Sequence, residues 1–361
     1  MADEYLSRER LDELTSRFPQ SNIAVIGDFF LDEYLVLDKN LSENSIETGL
    51  EAYQVTSTRK SAGVAGTVTN ILRSLDVPVM AIGFCGDDGH GFELRRSLSA
   101  SGVNLDHFAV FADCFTPTYT KPMLSENGSE TELSRLDTKN RQPLCTEHEK
   151  TLIQSLHRVL PEVKAVLMVD QARDKNCGVI TDTLRAELAF LAEKHPDKIF
   201  MADSRDYMSL FKNAIVKFNI SEASKMFGIK NPDHSIKLID DLSRQLYDHY
   251  HKPVILTLGS EGIQVTDQSG SARIPGISIP GPKDIVGAGD SVMAAAGAAL
   301  SVGASLIEAS LIGNLTASII IEQIGTTGIA TRQQIKARFA ETSEWLNASI
   351  RFRPAQAVIN K

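Results

Sequence analysis

Residues 284–291, Asp284-Ile285-Val286-Gly287-Ala288-Gly289-Asp290-Ser291, run directly into the small-residue stretch Val292 to Leu300. Two glycines let the backbone turn sharply with successive N–H groups pointing inward. A helix expected to begin near Asp290 adds the positive end of its dipole to the same point. The result is an anion hole at a sheet-to-helix turn. Asp290 stands at its mouth, where a general base takes a proton from a hydroxyl attacking a bound phosphoryl group. Read alone, the string is equally a glycine turn with an aspartate cap, so the rest of the chain has to decide.

Working outward, short apolar, β-branched runs alternate with amphipathic segments of helical period, which is the pattern of an α/β fold on a mostly parallel sheet. Strands are expected at Ile23 to Ile26, Val79 to Phe84, Ala165 to Val169, Lys198 to Ala202, Ala214 to Phe218 and Val254 to Leu258. Four of them end on Asp28, Asp170, Asp203 and Asn219. Ligands collect outside the carboxyl ends of parallel strands, so these side chains are expected to converge on one crevice; singly, each is a turn former or cap. One segment breaks the rhythm. Thr118 to Leu124 and Glu130 to Leu136, joined around Asn127-Gly128, read as a hairpin, and Asn44 to Thr58 is a β-prone partner for it. Lid strands around 44–58 and 117–137 are therefore expected over the crevice, with an ornamental edge hairpin as the alternative.

Further segments supply pieces of a site. Thr257-Leu258-Gly259-Ser260-Glu261-Gly262 lets a ligand approach the backbone closely, and Gly313-Asn314 with Gly325 to Gly328 offers small-residue walls for a flat base. Asn219 and Glu222, at i and i+3 of a helix start, suit either a hydrated Mg²⁺ or a capping box. Ser61 to Asn70 opens a helix with small residues near Asp28 and Asp32, which lets a polyol lie against backbone or simply permits tight helix-to-sheet packing.

Composition sets the outer limits. The chain has 361 residues, 37 Lys+Arg against 46 Asp+Glu, and 42% hydrophobic residues. The net charge of −9 without a basic stretch argues against nucleic acid and anionic lipid as partners and favours a small molecule. Ser291 to Leu306 is too short and too rich in Ala and Gly for a membrane span, and the start has no basic and apolar leader, so a cytoplasmic location is expected. Cys85, Cys114, Cys145 and Cys177 form no C-x-x-C pair and read as reduced, mostly core thiols.

With these segments in order, the chain resembles the PfkB (ribokinase-like) family of carbohydrate kinases from about Asn22 to Gln334. Within the family the likeness is strongest to the branch acting on D-glycero-β-D-manno-heptose 7-phosphate. It is carried by Asp284 to Asp290, Gly27-Asp28-Phe29-Phe30-Leu31-Asp32-Glu33-Tyr34, Thr120-Lys121, Arg135-Leu136-Asp137, Asn219-Ile220-Ser221-Glu222 and Gly325-Thr326-Thr327. The resemblance implies a ribokinase-like three-layer sandwich with a small β-lid. It implies an N-terminal helix over 1–21, a kinase domain over 22–335, and a C-terminal helix and tail over 336–361. It also implies ATP-dependent phosphorylation of a hydroxyl on a sugar or sugar phosphate, with Mg²⁺ and, in relatives, K⁺.

Carried over, the family pattern makes Asp290 the base and the Gly287, Ala288 and Gly289 amides the anion hole. Asp28, Asp32, Gly63 and Asn70 fall in the sugar site, and Lys121 and Arg135 near a substrate phosphate. Asn219, Thr257, Gly259, Gly262 and Asn314 lie along the nucleotide; Glu222 and Asn219 reach Mg²⁺ through water, and carbonyls near Asp284 and Ile285 hold K⁺. The lid suits a homodimer contact. Two departures bear on the acceptor. Gly66 stands where a sugar-binding Asn is usual, implying a larger pocket, and Asp203-Ser204-Arg205 replaces Asp-Pro-Lys. Fructose phosphate, a nucleoside or an unusual polyol are the alternative acceptors, and a non-catalytic sugar-binding paralogue is the alternative from another class.

Overall fold

The computed structural model describes residues 5–126, 129–325 and 328–355. The expected strands all form, with ends shifted by one or two residues from the apolar runs. They are β1 (Ile23–Gly27), β4 (Val79–Gly86), β9 (Ala165–Asp170), β10 (Ile199–Ser204), β11 (Ile215–Asn219) and β12 (Val254–Thr257). Together with β5 (Phe108–Phe111) they make seven parallel strands in the order β12-β11-β10-β9-β1-β4-β5. Beyond β12 the direction reverses through β13 (Gly262–Asp267), β14 (Gly270–Pro275) and β15 (Arg351–Pro354), all antiparallel.

Alternate residues of the parallel strands bury on opposite faces, so both faces need cover. Leu167 and Val169 of β9 join a core with helices α1 (Arg8–Ser16), α2 (Ala65–Ser74), α3 (Gly89–Ala100), α8 (Ala288–Ser301), α9 (Leu306–Ile320) and α10 (Arg332–Ser349). Val166 and Met168 face a second core with α4 (Thr146–Val159), α5 (Asp182–Lys194), α6 (Ile220–Met226) and α7 (Ile236–Tyr250). Helix α8 is made almost wholly of small residues because it lies flat on the sheet. A Cβ added at Gly297 would sit 2.7 Å from Leu167 Cδ2. That close seat points the start of α8 over the carboxyl ends of β9, β10 and β11.

The second sheet is larger than its sequence suggested. β2 (Phe29–Asn44) and β3 (Glu51–Val64) form a long antiparallel pair, and β6 (Thr118–Glu126) runs parallel to β2. The second arm of the expected hairpin is broken in two, β7 (Ser129–Glu132) and β8 (Leu136–Thr138), both paired with β6; the Asn127-Gly128 turn lies outside the described residues. β2 escaped notice because half its residues are charged or polar: it is a strand buried at one end only.

Leu6, Leu11, Leu14 and Phe18 are fully buried in the core with α8, α9 and α10, so residues 6–18 pack into the same body as the sheet. The 335/336 boundary falls inside α10, and the expected loose tail contributes edge strand β15. Cys85 and Cys177 are core thiols, but Cys114 is half-buried and Cys145 exposed. No helix among the described residues is long and apolar enough to cross a membrane.

Candidate active site

A cleft of about 420 Å³ opens between the carboxyl ends of the parallel strands and the small sheet, lined by residues including Asp32, Lys121, Asp203, Lys217, Glu222 and Asp290. Helix α8 begins at Ala288, two residues before the expected start, because Gly287 takes the left-handed conformation (φ 81°) that closes the turn. The amides of Gly287, Gly289 and Asp290 have no acceptor among the described residues, whereas Ala288 N–H donates to Ile285 O at 3.2 Å. The turn therefore presents the amides of Gly287, Gly289 and Asp290, with that of Ala288 occupied.

Lys217 places a buried cation beside these amides and was missed in the sequence, where it lies inside the apolar run of β11. Its side chain is buried, Nζ meets Asp203 Oδ2 at 2.5 Å, and a Cβ on Gly289 would come within 3.2 Å of that nitrogen. Burial presses the ammonium toward neutrality. The Asp203, Glu222 and Asp290 carboxylates outweigh burial and raise its pKa, so it stays charged. A charged residue in a strand otherwise hydrophobic on both faces was the available signal.

Asp290 faces the cleft with its carboxyl lifted from 3.8 to about 7, first by burial and then by the Asp203 carboxylate, while Lys217 pulls it down. That is the range in which a base accepts and releases protons near neutrality. Across the cleft, Gly63 leaves room for Asp32: a Cβ there would stand 2.1 Å from Asp32 Oδ2. Lys121 Nζ pairs with Asp32 Oδ1 at 3.1 Å and donates to Tyr34 Oη at 3.1 Å. Arg135 lies over the Tyr119 ring at 4.4 Å and forks onto Asp137, leaving one face of its guanidinium toward the cleft. Arg205 lines the same space and makes no ion pair among the described residues.

Other residues singled out from the sequence have different employment. Asp28 lies outside the cleft: its carboxylate accepts from the amides of Gln171, Ala172 and Val179 at 2.7 to 2.8 Å, fastening the 171–179 segment. These bonds engage much of its accepting capacity with backbone, and it lines a smaller adjoining pocket with Phe30, Gln171 and Arg205. Asp170, beside it, accepts from Ser204 and the buried Arg185; burial and the Asp28 charge lift its carboxyl to about 7. A Cβ added at Gly66 would lie 2.5 Å from Ala62 Cβ, and Gly66 does not line the main cleft. Asn70 does not line the cleft either, and its buried Oδ1 lacks a partner.

Asn219 and Glu222 form a reciprocal capping box at the start of α6. Only Glu222 lines the cleft; Oε2 accepts from Asn219 N–H, and burial with Asp203 raises its carboxyl. Its other oxygen accepts nothing among the described residues, so a hard oxygen ligand remains, which fits Mg²⁺. Asn219 keeps only its side-chain N–H₂ for other partners. Thr257 Oγ1 donates to Phe218 O, Asn314 Nδ2 donates to Pro275 O from inside α9, and Gly259 and Gly262 take positive φ around a turn. None of these four lines the main cleft. Asp284 spends its carboxylate on the amides of Val286 and Gly325; its carbonyl accepts nothing among the described residues, and that of Ile285 takes only Ala288 N–H. Thr326 and Thr327 lie outside the described residues.

Comparison with known proteins agrees with this architecture. The chain is 26% identical over 328 residues to the bifunctional protein HldE of Desulfatibacillum aliphaticivorans, covering 90% of this chain and 64% of that protein. To HldE of Helicobacter hepaticus it is 27% identical over 326 residues, covering 89% and 64%. It thus spans about 64% of the length of these relatives. Among solved structures, Arabidopsis thaliana ribokinase complexed with ribose and ATP superposes with a TM-score of 0.67 at 18% identity, over 88% of this chain and 98% of that one. Phosphofructokinase-2 from Escherichia coli with fructose-6-phosphate gives 0.68 at 17%, over 90% and 99%. Both show the ribokinase-like fold. Residues 20–332 match the pfkB family carbohydrate kinase profile, and the chain belongs to that family.

Proposed function

We propose that this chain is an ATP-dependent kinase that phosphorylates a hydroxyl of a phosphorylated sugar of the heptose 7-phosphate class. The observation that carries the reading is the meeting, in one cleft, of a carboxyl poised near neutrality, Asp290, with unpaired amides and a buried ammonium. The acceptor lies under the small sheet, its hydroxyl toward Asp290, and Asp32 fixes the neighbouring hydroxyls. Asp290 takes the hydroxyl proton as the oxygen attacks. The amides of Gly287 and Gly289, the α8 dipole and Lys217 hold the negative oxygens of the moving phosphoryl group. Glu222 would hold Mg²⁺ through water, which when bound neutralises charge on the nucleotide phosphates. Carbonyls at Asp284 and Ile285 are the proposed K⁺ contacts.

A phosphorylated acceptor is supported by Lys121, Arg135 and Arg205, three cations on the sugar side of a chain with net charge −9. The small sheet acts as the lid, and its exposed Leu41, Leu50, Tyr53 and Val55 support pairing of two copies through it. The test is ADP release with Mg²⁺, with and without K⁺, across heptose 7-phosphate, fructose phosphates, nucleosides and the unphosphorylated sugars. Turnover confined to a different acceptor class removes the substrate assignment, and turnover of none removes the kinase.

A further inference from the structure

On the sheet edge remote from Asp290, the loop after β5 meets the first turn of α4. Asp113, Cys114 and His148 each bring one donor atom there, and the three atoms lie within 4.8 Å of one another. From these positions we propose a second metal site that takes a borderline-soft divalent cation such as Zn²⁺ on Asp113 Oδ1, Cys114 Sγ and His148 Nε2. The Asp113 and His148 donors are 3.3 Å apart yet make no hydrogen bond with each other. Two ligands on a tetrahedral ion with arms of about 2.0–2.1 Å stand at about that separation. His148 is held in place by stacking on Phe111, with ring centroids 3.7 Å apart and planes 7° from parallel. The imidazole is therefore already oriented, as a ligand has to be if binding is not to cost its rotational freedom.

The donor set decides the metal. A thiolate and an imidazole with one carboxylate oxygen suit Zn²⁺ or Co²⁺, and discriminate against the Mg²⁺ that accompanies a nucleotide. Cys145 stands three residues before His148, as the N-cap of α4, a Cys-x-x-His spacing that brings another sulfur to the same turn. The 30 residues between Cys114 and Cys145 hid this arrangement in the sequence. The remainder of the loop is fastened separately: Phe115 exchanges two hydrogen bonds with Asn140, and Thr116 N–H donates to Asp88. A metal at 113–114 would anchor the remaining stretch just before β6 enters the lid.

The full chain, freed of metal with a chelator and titrated with Co²⁺, is expected to bind one equivalent and develop the near-ultraviolet band of a cobalt thiolate, which Zn²⁺ then bleaches. Cys114→Ser abolishes the band. Asp113→Asn, at a side chain 70% exposed, and His148→Phe, which keeps the stack on Phe111, each weaken binding at least tenfold. Turnover with Mg²⁺ stays unchanged in all three, which separates this site from the kinase reading. A wild-type chain without the thiolate band, or a Cys114→Ser chain that retains it, overturns the proposal.

Discussion

Lys217 Nζ and Asp203 Oδ2 meet at 2.5 Å beneath the first turn of α8, a charge pair from the ends of two adjacent parallel strands. The pair does two things to Asp290. Asp203 raises its carboxyl and Lys217 lowers it, so removal of either moves the base in a known direction. Lys217→Met is expected to cut kcat by about 10²–10³ through lost charge stabilisation. It should also move the acidic limb of the kcat/KM profile upward. A profile that loses rate without moving would leave Lys217 as a phosphate contact with no hold on the base.

The pH behaviour of the wild type follows from Asp290 itself. As the proposed base it is active only when ionised, so kcat/KM should rise with pH and level off above about 7. Asp290→Asn should lower turnover by roughly 10²–10⁴ and flatten this limb.

Stability should move the opposite way. A carboxyl at about 7 in the fold and 3.8 when unfolded keeps its proton in the native state between those values. The native state there binds more protons than the unfolded one, so this group's contribution is full below about 4 and lost as pH rises through 7. Asp290→Asn should therefore unfold at the same or a higher temperature than wild type at pH 8, and thermal melts at pH 5 and pH 8 check it.

Lys121 and Asp32 are both mostly buried and joined at 3.1 Å, on the acceptor side of the cleft. Lys121→Ala should raise KM for a phosphorylated acceptor at least tenfold, about 1.4 kcal/mol or more of binding, with little change for ATP. Equal effects on phosphorylated and unphosphorylated sugars would show that Lys121 serves only to neutralise Asp32.

How much of this was legible follows from what each residue leaves in the sequence. Apolar runs and paired glycines carry their own period and conformation, so the parallel strands and the Gly287 turn were readable. β2 was not, because its outer half is mostly exposed and so shows no apolar alternation. Lys217 and Arg185 hide inside segments read for their apolar neighbours, and their partners Asp203 and Asp170 arrive from other strands. Gly66 shows what a sequence omits: an added Cβ there would meet Ala62 at 2.5 Å, a contact no single-residue reading supplies.

Asp28 tests the difference between a ligand and a fastener. Its two oxygens take three backbone N–H groups from the 171–179 segment, one of whose residues, Gln171, lines the cleft. An asparagine there keeps the shape but offers one acceptor oxygen in place of two and adds two donors facing amide N–H groups. Asp28→Asn should therefore destabilise the fold by about 1–3 kcal/mol, the cost of leaving buried amides unpaired. Measured below its lowered melting temperature, the variant should keep a KM for the acceptor within a few-fold of wild type. A normal melting temperature with KM raised tenfold or more would return Asp28 to the sugar site.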